Sequence, residues 1–166
     1  MSVNNIVFKQ PLPEDGASVF SLIENCPPLD INSMYCNLLQ TSHFADTCVL
    51  AKRPNSQGLI GFVSGYLLPG DKSTLFIWQV AVSASARGEG LAKKMIMNLL
   101  AREQCAQVKR LHTTITKNNQ ASWALFRSLA KTLKAEINES IQFDQQRHFN
   151  SQHDTEYLVE IVPISR

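Results

Sequence analysis

Arg87-Gly88-Glu89-Gly90-Leu91-Ala92 is the stretch of this 166-residue chain best suited to hold a ligand. It follows an apolar run, Phe76-Ile77-Trp78-Gln79-Val80-Ala81-Val82, and opens a helical pattern, which predicts a glycine-containing turn between a strand and a helix. The amides of a first helical turn have no partner within the helix, and the positive end of the helix dipole lies behind them. Such a turn favours phosphate or pyrophosphate. Gly88 and Gly90 let backbone come close to a ligand, and Arg87 adds a permanent cation with a planar donor fork. Two readings stand at this level: an anion cradle, or a helix start merely shaped by glycine. The spacing is neither GxGxxG nor GxxxxGK followed by Ser or Thr, so dinucleotide and P-loop readings are weak.

Other side chains could serve an acceptor. Asp30 sits in a loop after Pro27-Pro28, either over a substrate or as a helix N-cap. Trp78 either packs its indole on a short alkyl chain or cation, or belongs to the core. Glu156 opens the apolar strand Tyr157-Leu158-Val159, as a general base or as a solvated carboxylate. His148 and His153 match no zinc spacing, and no metal is expected. The four cysteines, Cys26, Cys36, Cys48 and Cys105, contain no CxxC pair. They read as packing residues in a reduced compartment, with a Cys26–Cys36 redox pair as the alternative.

Composition bounds these readings. Apolar residues make up 44% and charged residues 18%, the balance of an ordinary soluble domain. A net charge of +2, with acids and bases scattered, argues against a nucleic-acid binder, which needs a clustered basic face. The start lacks a basic-then-apolar leader, and no apolar run approaches the roughly 20 residues of a membrane span. The expectation is a single cytoplasmic domain over residues 1–166.

The elements that position these residues follow from periodicity. Strands are expected at Ile6 to Lys9, Thr47 to Lys52, Leu59 to Leu67, Thr74 to Val82, Arg110 to Thr116 and Glu156 to Pro163, with a further one near Ile141 to Phe143. Helices are expected at Glu14 to Cys26, after a cap at Asn32 or Ser33, from about Gly88 to Cys105, and at Asn119 to Leu133. The order is β-α-α-β-β-β-α-β-α-β-β. That is an α/β fold with a mixed sheet, and its strand–helix–strand unit from Trp78 to Thr116 should be a right-handed parallel crossover.

The strand, the turn and Arg87, Gly90 and Ala92 together resemble the acetyl-CoA motif Arg/Gln-x-x-Gly-x-Gly/Ala of the GNAT superfamily of N-acetyltransferases. Asn119, followed by Ser122, Leu125 and Phe126, matches that superfamily's Asn-opened helix. The resemblance covers nearly the whole chain and implies a central, mostly antiparallel sheet with a parallel β-α-β cofactor unit and flanking helices. It implies acetyl-CoA as co-substrate, contacted by Val80, Ala81, Val82, Arg87, Gly88, Glu89, Gly90, Leu91, Ala92, Asn119, Ser122 and Phe126. It also implies that the Val80 amide polarises the thioester carbonyl. Many members carry a Tyr where this chain has Phe126, a proposed acid for the CoA thiolate. A thiol pKa near 8.5 makes thiolate a tolerable leaving group without it.

Five strings narrow the resemblance. Pro28 to Tyr35, His43 to Thr47, Phe76 to Val82, Thr113 to Thr116 with Asn119 to Phe126, and His148-Phe149 with His153 to Glu156 are similar to the diaminobutyrate acetyltransferases. That family acetylates the side-chain (N4) amine of L-2,4-diaminobutyrate on the way to the compatible solute ectoine. The resemblance implies a homodimer, and substrate contacts from Asp30, Ser33, Tyr35, Trp78, Thr114 and Glu156, with Glu156, Val80 and Trp78 nearest the chemistry. Only about 0.1% of an ammonium of pKa near 10 is neutral at pH 7, a deficit of roughly 4 kcal/mol. A carboxylate such as Glu156 could take the proton. Other small diamines, and a non-catalytic CoA-binding module, remain as alternatives.

Overall fold

The structure, a computed structural model, describes residues 5–165. Its elements are β1 (Val7–Lys9), α1 (Gly16–Glu24), α2 (Met34–Gln40), β2 (Val49–Lys52), β3 (Leu59–Leu68), β4 (Asp71–Val82), α3 (Leu91–Leu100), β5 (Arg110–Thr116), α4 (Gln120–Leu133), β6 (Glu136–Phe143) and β7 (Glu156–Val162). The expected order holds. The strands run β1-β2-β3-β4-β5-β7-β6 in the sheet, and β4 and β5 form the expected parallel pair, with Leu75 opposite Leu111. No helix among the described residues is long and apolar enough to cross a membrane.

The chain divides into two compact units. One runs to Tyr66 and resumes from Trp78 to Ala106; the other takes Leu67–Ile77 and the chain from Gln107 onward.

In the first unit α1 buries Val19, Leu22 and Ile23, three positions at helical spacing, in a cluster with Cys26, Cys48, Leu50, Phe62 and Ala81. Each such aliphatic or aromatic burial is worth about 1.5–3 kcal/mol. The helix ends where Asn25 Nδ2 donates to the Ser21 carbonyl at 2.8 Å, before two prolines that cannot continue it. Ser33, one of the two expected caps, starts α2 by accepting the Cys36 amide at 3.1 Å.

α3 buries Leu91, Met95, Ile96, Leu99 and Leu100, the expected face, but it is shorter than the expected Gly88-to-Cys105 helix. Gly88 (φ 80°) and Gly90 (φ 69°) are left-handed and lie outside it. At the other end Arg102 is extended (ψ 151°), and a short 3-10 turn, Glu103–Cys105, follows. Its guanidinium Nη1 donates to the carbonyls of Cys48 at 2.7 Å, Asp46 at 3.1 Å and Ala45 at 3.4 Å. Those charge-assisted bonds hold the end of α3 to the turn that leads into β2.

In the second unit β5 and β7 pair antiparallel from Leu111↔Ile161 to Thr116↔Glu156. Leu111, Thr113, Ile115, Val159 and Ile161 are buried, while the alternate residues His112, Thr114, Thr116, Glu156, Leu158 and Glu160 are half-buried. That is the two-residue period of a strand with one core face. α4 buries Trp123, Phe126, Leu129 and Ala130. β6 is longer than the expected Ile141-to-Phe143 strand and mostly exposed, so its composition carries little apolar alternation to read.

Candidate active site

The turn after β4 begins at Ser83, whose Oγ accepts the Ser85 amide at 3.4 Å, and passes through a 3-10 turn at Ala84–Ala86. Arg87, Gly88 and Gly90 are exposed and Glu89 is half-buried. A Cβ placed on Gly88 or Gly90 would meet none of the described residues within 4 Å, so their positive φ is what calls for glycine, a conformation that strains other residues. Leu91 points into the core, and Ala92 is half-buried.

Glu89 has a partner that no local pattern announces. Arg53, just after β2, places Nη2 2.7 Å from Glu89 Oε1 and 3.4 Å from the Ser85 carbonyl.

Along β4, Ala81 is fully buried between half-buried Val80 and Val82. The Cys26 thiol donates to the Val82 carbonyl at 3.4 Å, and the Ser83 amide donates to Ile60 at 2.9 Å. These contacts fix the strand end where the resemblance puts the thioester arm.

Trp78 is 42% exposed and is not a core residue. Its ring meets Tyr66 edge-on at 6.0 Å and Phe44 edge-on at 6.4 Å, and Phe44 and Tyr66 lie 6.0 Å apart. Burial pushes the Tyr66 hydroxyl pKa up. The three rings form an aromatic wall suited to an alkyl chain or a cation. Sequence reasoning did not pair Phe44 and Tyr66 with Trp78, because ring contacts between separate segments leave no local signal.

Asp30 is exposed and does not cap α2, since Ser33 does. Its backbone carbonyl accepts from Gln79 Nε2 at 2.9 Å, and the Gln79 amide in turn donates to Ser64 Oγ at 3.2 Å. Gln79, missed as a positioning residue, thus brings the Asp30 loop to the strand residue after Trp78. Ser33 spends its hydroxyl on the cap, and Tyr35 is 69% exposed.

The second unit holds the remaining expected residues. Glu156 stands opposite Thr116 on β5, with Thr114 two positions along, opposite Leu158. His153 Nε2 lies 3.9 Å from Glu156 Oε1, and its Nδ1 is 2.7 Å from the Asp154 carbonyl. Asn119 caps α4 by accepting the Ser122 amide at 3.2 Å. Phe126 is 3% exposed.

A cavity of about 460 Å³ opens beside Ser83, lined by Ser18, Ser21, Asn25 and Leu59 among others, and no expected site residue faces it. All four cysteines are free, and Cys26, Cys48 and Cys105 are buried. Among the described residues no group of three or more His, Cys, Asp or Glu could hold a metal ion.

Residues 17–130 match the model of the acetyltransferase (GNAT) family. Over 158 residues the chain is 54% identical to the L-2,4-diaminobutyric acid acetyltransferase of Methylotuvimicrobium alcaliphilum, covering 95% of this chain and 91% of that one. Over 155 residues it is 51% identical to the enzyme of the same name from Vibrio cholerae, covering 93% of this chain and 88% of that one. Among solved structures it is similar to the diaminobutyrate acetyltransferase of Paenibacillus lautus in complex with L-2,4-diaminobutyric acid and coenzyme A. The TM-score is 0.91 at 32% identity, covering 99% of this chain and 98% of that one.

Proposed function

The chain belongs to the acetyltransferase (GNAT) family, and from that premise we propose that it transfers the acetyl group of acetyl-CoA to the side-chain (N4) amine of L-2,4-diaminobutyrate. The observation that carries the acceptor is the 54% identity, over 91% of the relative's length, to a protein named as an acetyltransferase of L-2,4-diaminobutyric acid. The fold match to a structure holding both diaminobutyrate and coenzyme A supports it. The product, N4-acetyl-L-2,4-diaminobutyrate, is a precursor of ectoine.

The transfer is direct. The neutral N4 nitrogen attacks the thioester carbonyl carbon, the carbon–sulfur bond breaks, and CoA leaves as thiolate. Glu156 orients N4 and takes its proton, directly or through water. Asp30 holds the α-ammonium, with Ser33, Tyr35 and Thr114 as further substrate contacts, and Trp78 packs on the acceptor's short alkyl chain. The Val80 amide polarises the carbonyl. Arg87 to Ala92 receive the pyrophosphate, while Val80 to Val82, Asn119, Ser122 and Phe126 contact the rest of the cofactor. With Phe126 in place of a tyrosine, that position supplies no proton, and the departing thiolate is protonated by another group or by water, or leaves as thiolate. Cys48 is not a nucleophile for this transfer: burial pushes its thiol up to about 12, far from reactive thiolate.

We read residues 1–166 as one acetyltransferase domain, working in the cytoplasm as a homodimer. The family resemblance supports the dimer. The test is CoA-thiol release from acetyl-CoA with L-2,4-diaminobutyrate, ornithine, lysine and putrescine, followed by mass spectrometry of the product. Diaminobutyrate is expected to be the best acceptor, with the acetyl on N4. A better substrate among the others overturns the acceptor assignment. The roles are tested by Glu156→Gln, expected to lower kcat by at least a hundredfold, and Asp30→Asn, expected mainly to raise KM for diaminobutyrate. Full kcat in Glu156→Gln together with loss of activity in Asp30→Asn would show the assignment to be wrong.

A further inference from the structure

We infer that Arg53 is a positioning residue for the cofactor: it neutralises Glu89 and braces the turn that receives the acetyl-CoA phosphates. This rests on the reading of Arg87 to Ala92 as the pyrophosphate turn. Glu89 is an odd residue there. It lies between two glycines whose conformation exposes backbone to an anion, and its carboxylate would repel the phosphates the turn attracts. Arg53 answers that charge at 2.7 Å, and the same Nη2 lies 3.4 Å from the Ser85 carbonyl. Both partners are only about a third exposed, at 28% and 33%, so the pair is less screened than one fully in water.

The guanidinium Nε is buried, with no hydrogen-bond partner among the described residues. Arg53 comes from the end of β2, 36 positions before Glu89, so the turn is held from outside its own stretch of chain. The consequence is a division of labour. Arg87, exposed, is left to face the ligand, while Arg53 sets the charge and shape of the turn behind it.

The test uses the full chain with Arg53→Met, Arg53→Met/Glu89→Gln, Arg53→Lys and Arg87→Ala, reading CoA affinity by calorimetry and both Michaelis constants. Arg53→Met is expected to weaken CoA and raise KM for acetyl-CoA about tenfold, with kcat at saturation and KM for diaminobutyrate kept. Adding Glu89→Gln is expected to restore most of the loss, because the uncompensated carboxylate causes it. A purely structural Arg53 would show no such rescue. The defect is also expected to vanish with S-acetylpantetheine, which lacks the phosphates. Arg53→Lys keeps the charge and should lose less than threefold in affinity. If Arg53→Met does not fold, Arg53→Gln, which removes the charge but keeps a polar side chain, carries the test with the same expected loss, and unchanged CoA affinity in it overturns the inference. Unchanged CoA affinity in Arg53→Met, or a double variant as weak as the single one, overturns the inference. If Arg87→Ala weakens CoA and Arg53→Met does not, only the role of Arg53 falls. If neither changes it, the turn is not the pyrophosphate site and both readings fall.

Discussion

The side-chain amide of Gln79 donates to the backbone carbonyl of Asp30 at 2.9 Å across 49 positions of sequence. The loop that carries the proposed ammonium ligand therefore hangs from the strand residue next to Trp78. Gln79→Leu removes the donor and also removes a buried acceptor, Oε1, that has no partner among the described residues. Folding stability should change little, while KM for diaminobutyrate rises about fivefold, the worth of one hydrogen bond of ~1 kcal/mol. Steady-state kinetics beside a thermal melt separate the two. An unchanged KM would mean that the tether does not position Asp30.

Thiol labelling should divide the cysteines. Cys26, Cys48 and Cys105 are buried, Cys36 is half-buried, and burial pushes the Cys48 thiol up to about 12. With iodoacetamide near pH 8, peptide mass spectrometry should find the label first on Cys36 and leave Cys48 unmodified until the protein is unfolded. Burial raises the Cys36 pKa too, so its reaction should be slower than that of a free cysteine.

Acid should weaken the second unit through two carboxylates. Hydrogen bonds from the Ser73 and Thr74 hydroxyls, each at 2.6 Å, and from the Ser73 amide at 3.0 Å hold Asp71 at about 2. An unfolded Asp titrates near 3.9. The folded pKa is the lower one, so the contribution is complete above roughly pH 4 and is lost as pH falls toward about 2. Glu160 is lowered as well, first by its bond to His112, and acts in the same direction. Urea midpoints measured from pH 5 down to pH 2 should fall less steeply for Asp71→Asn than for the parent.

Arg102→Met should destabilise the first unit by about 2–3 kcal/mol, since three backbone carbonyls lose a charged donor. Arg102→Lys should recover only part of this, because an ammonium on a flexible stem cannot reproduce the planar fork. Urea denaturation followed by circular dichroism checks both variants.

What could be read from the sequence was local. The buried face of α3 follows from spacing alone, and the Asn119 cap follows from a rule that spans three residues. The ends of α3 did not follow. One is set by two glycines whose positive φ composition permits but does not require. The other is set by carbonyls at positions 45 to 48, which draw Arg102 out of the helix. The same division runs through the expected functional residues of each unit. Arg87, Gly90, Trp78 and Glu156 stand out by type and neighbourhood, whereas Arg53, Gln79, Phe44 and Tyr66 meet their partners many residues away in sequence. Trp78 itself was open between core and surface, because a strand flanked by apolar residues on both sides does not declare which face is wet.

The aromatic wall has an optical consequence. The chain has two tryptophans, and their surroundings are opposite: Trp78 is 42% exposed, and Trp123 is 7% exposed with its indole Nε1 donating to the Thr116 carbonyl. Their fluorescence should separate into a red-shifted and a blue-shifted component. In a Trp123→Phe variant the remaining emission reports Trp78 alone, and titration with diaminobutyrate should shift it to the blue as the ring loses water. A blue shift without cofactor would report the acceptor's arrival at Trp78 by light, and an unmoved emission maximum would separate that ring from the acceptor.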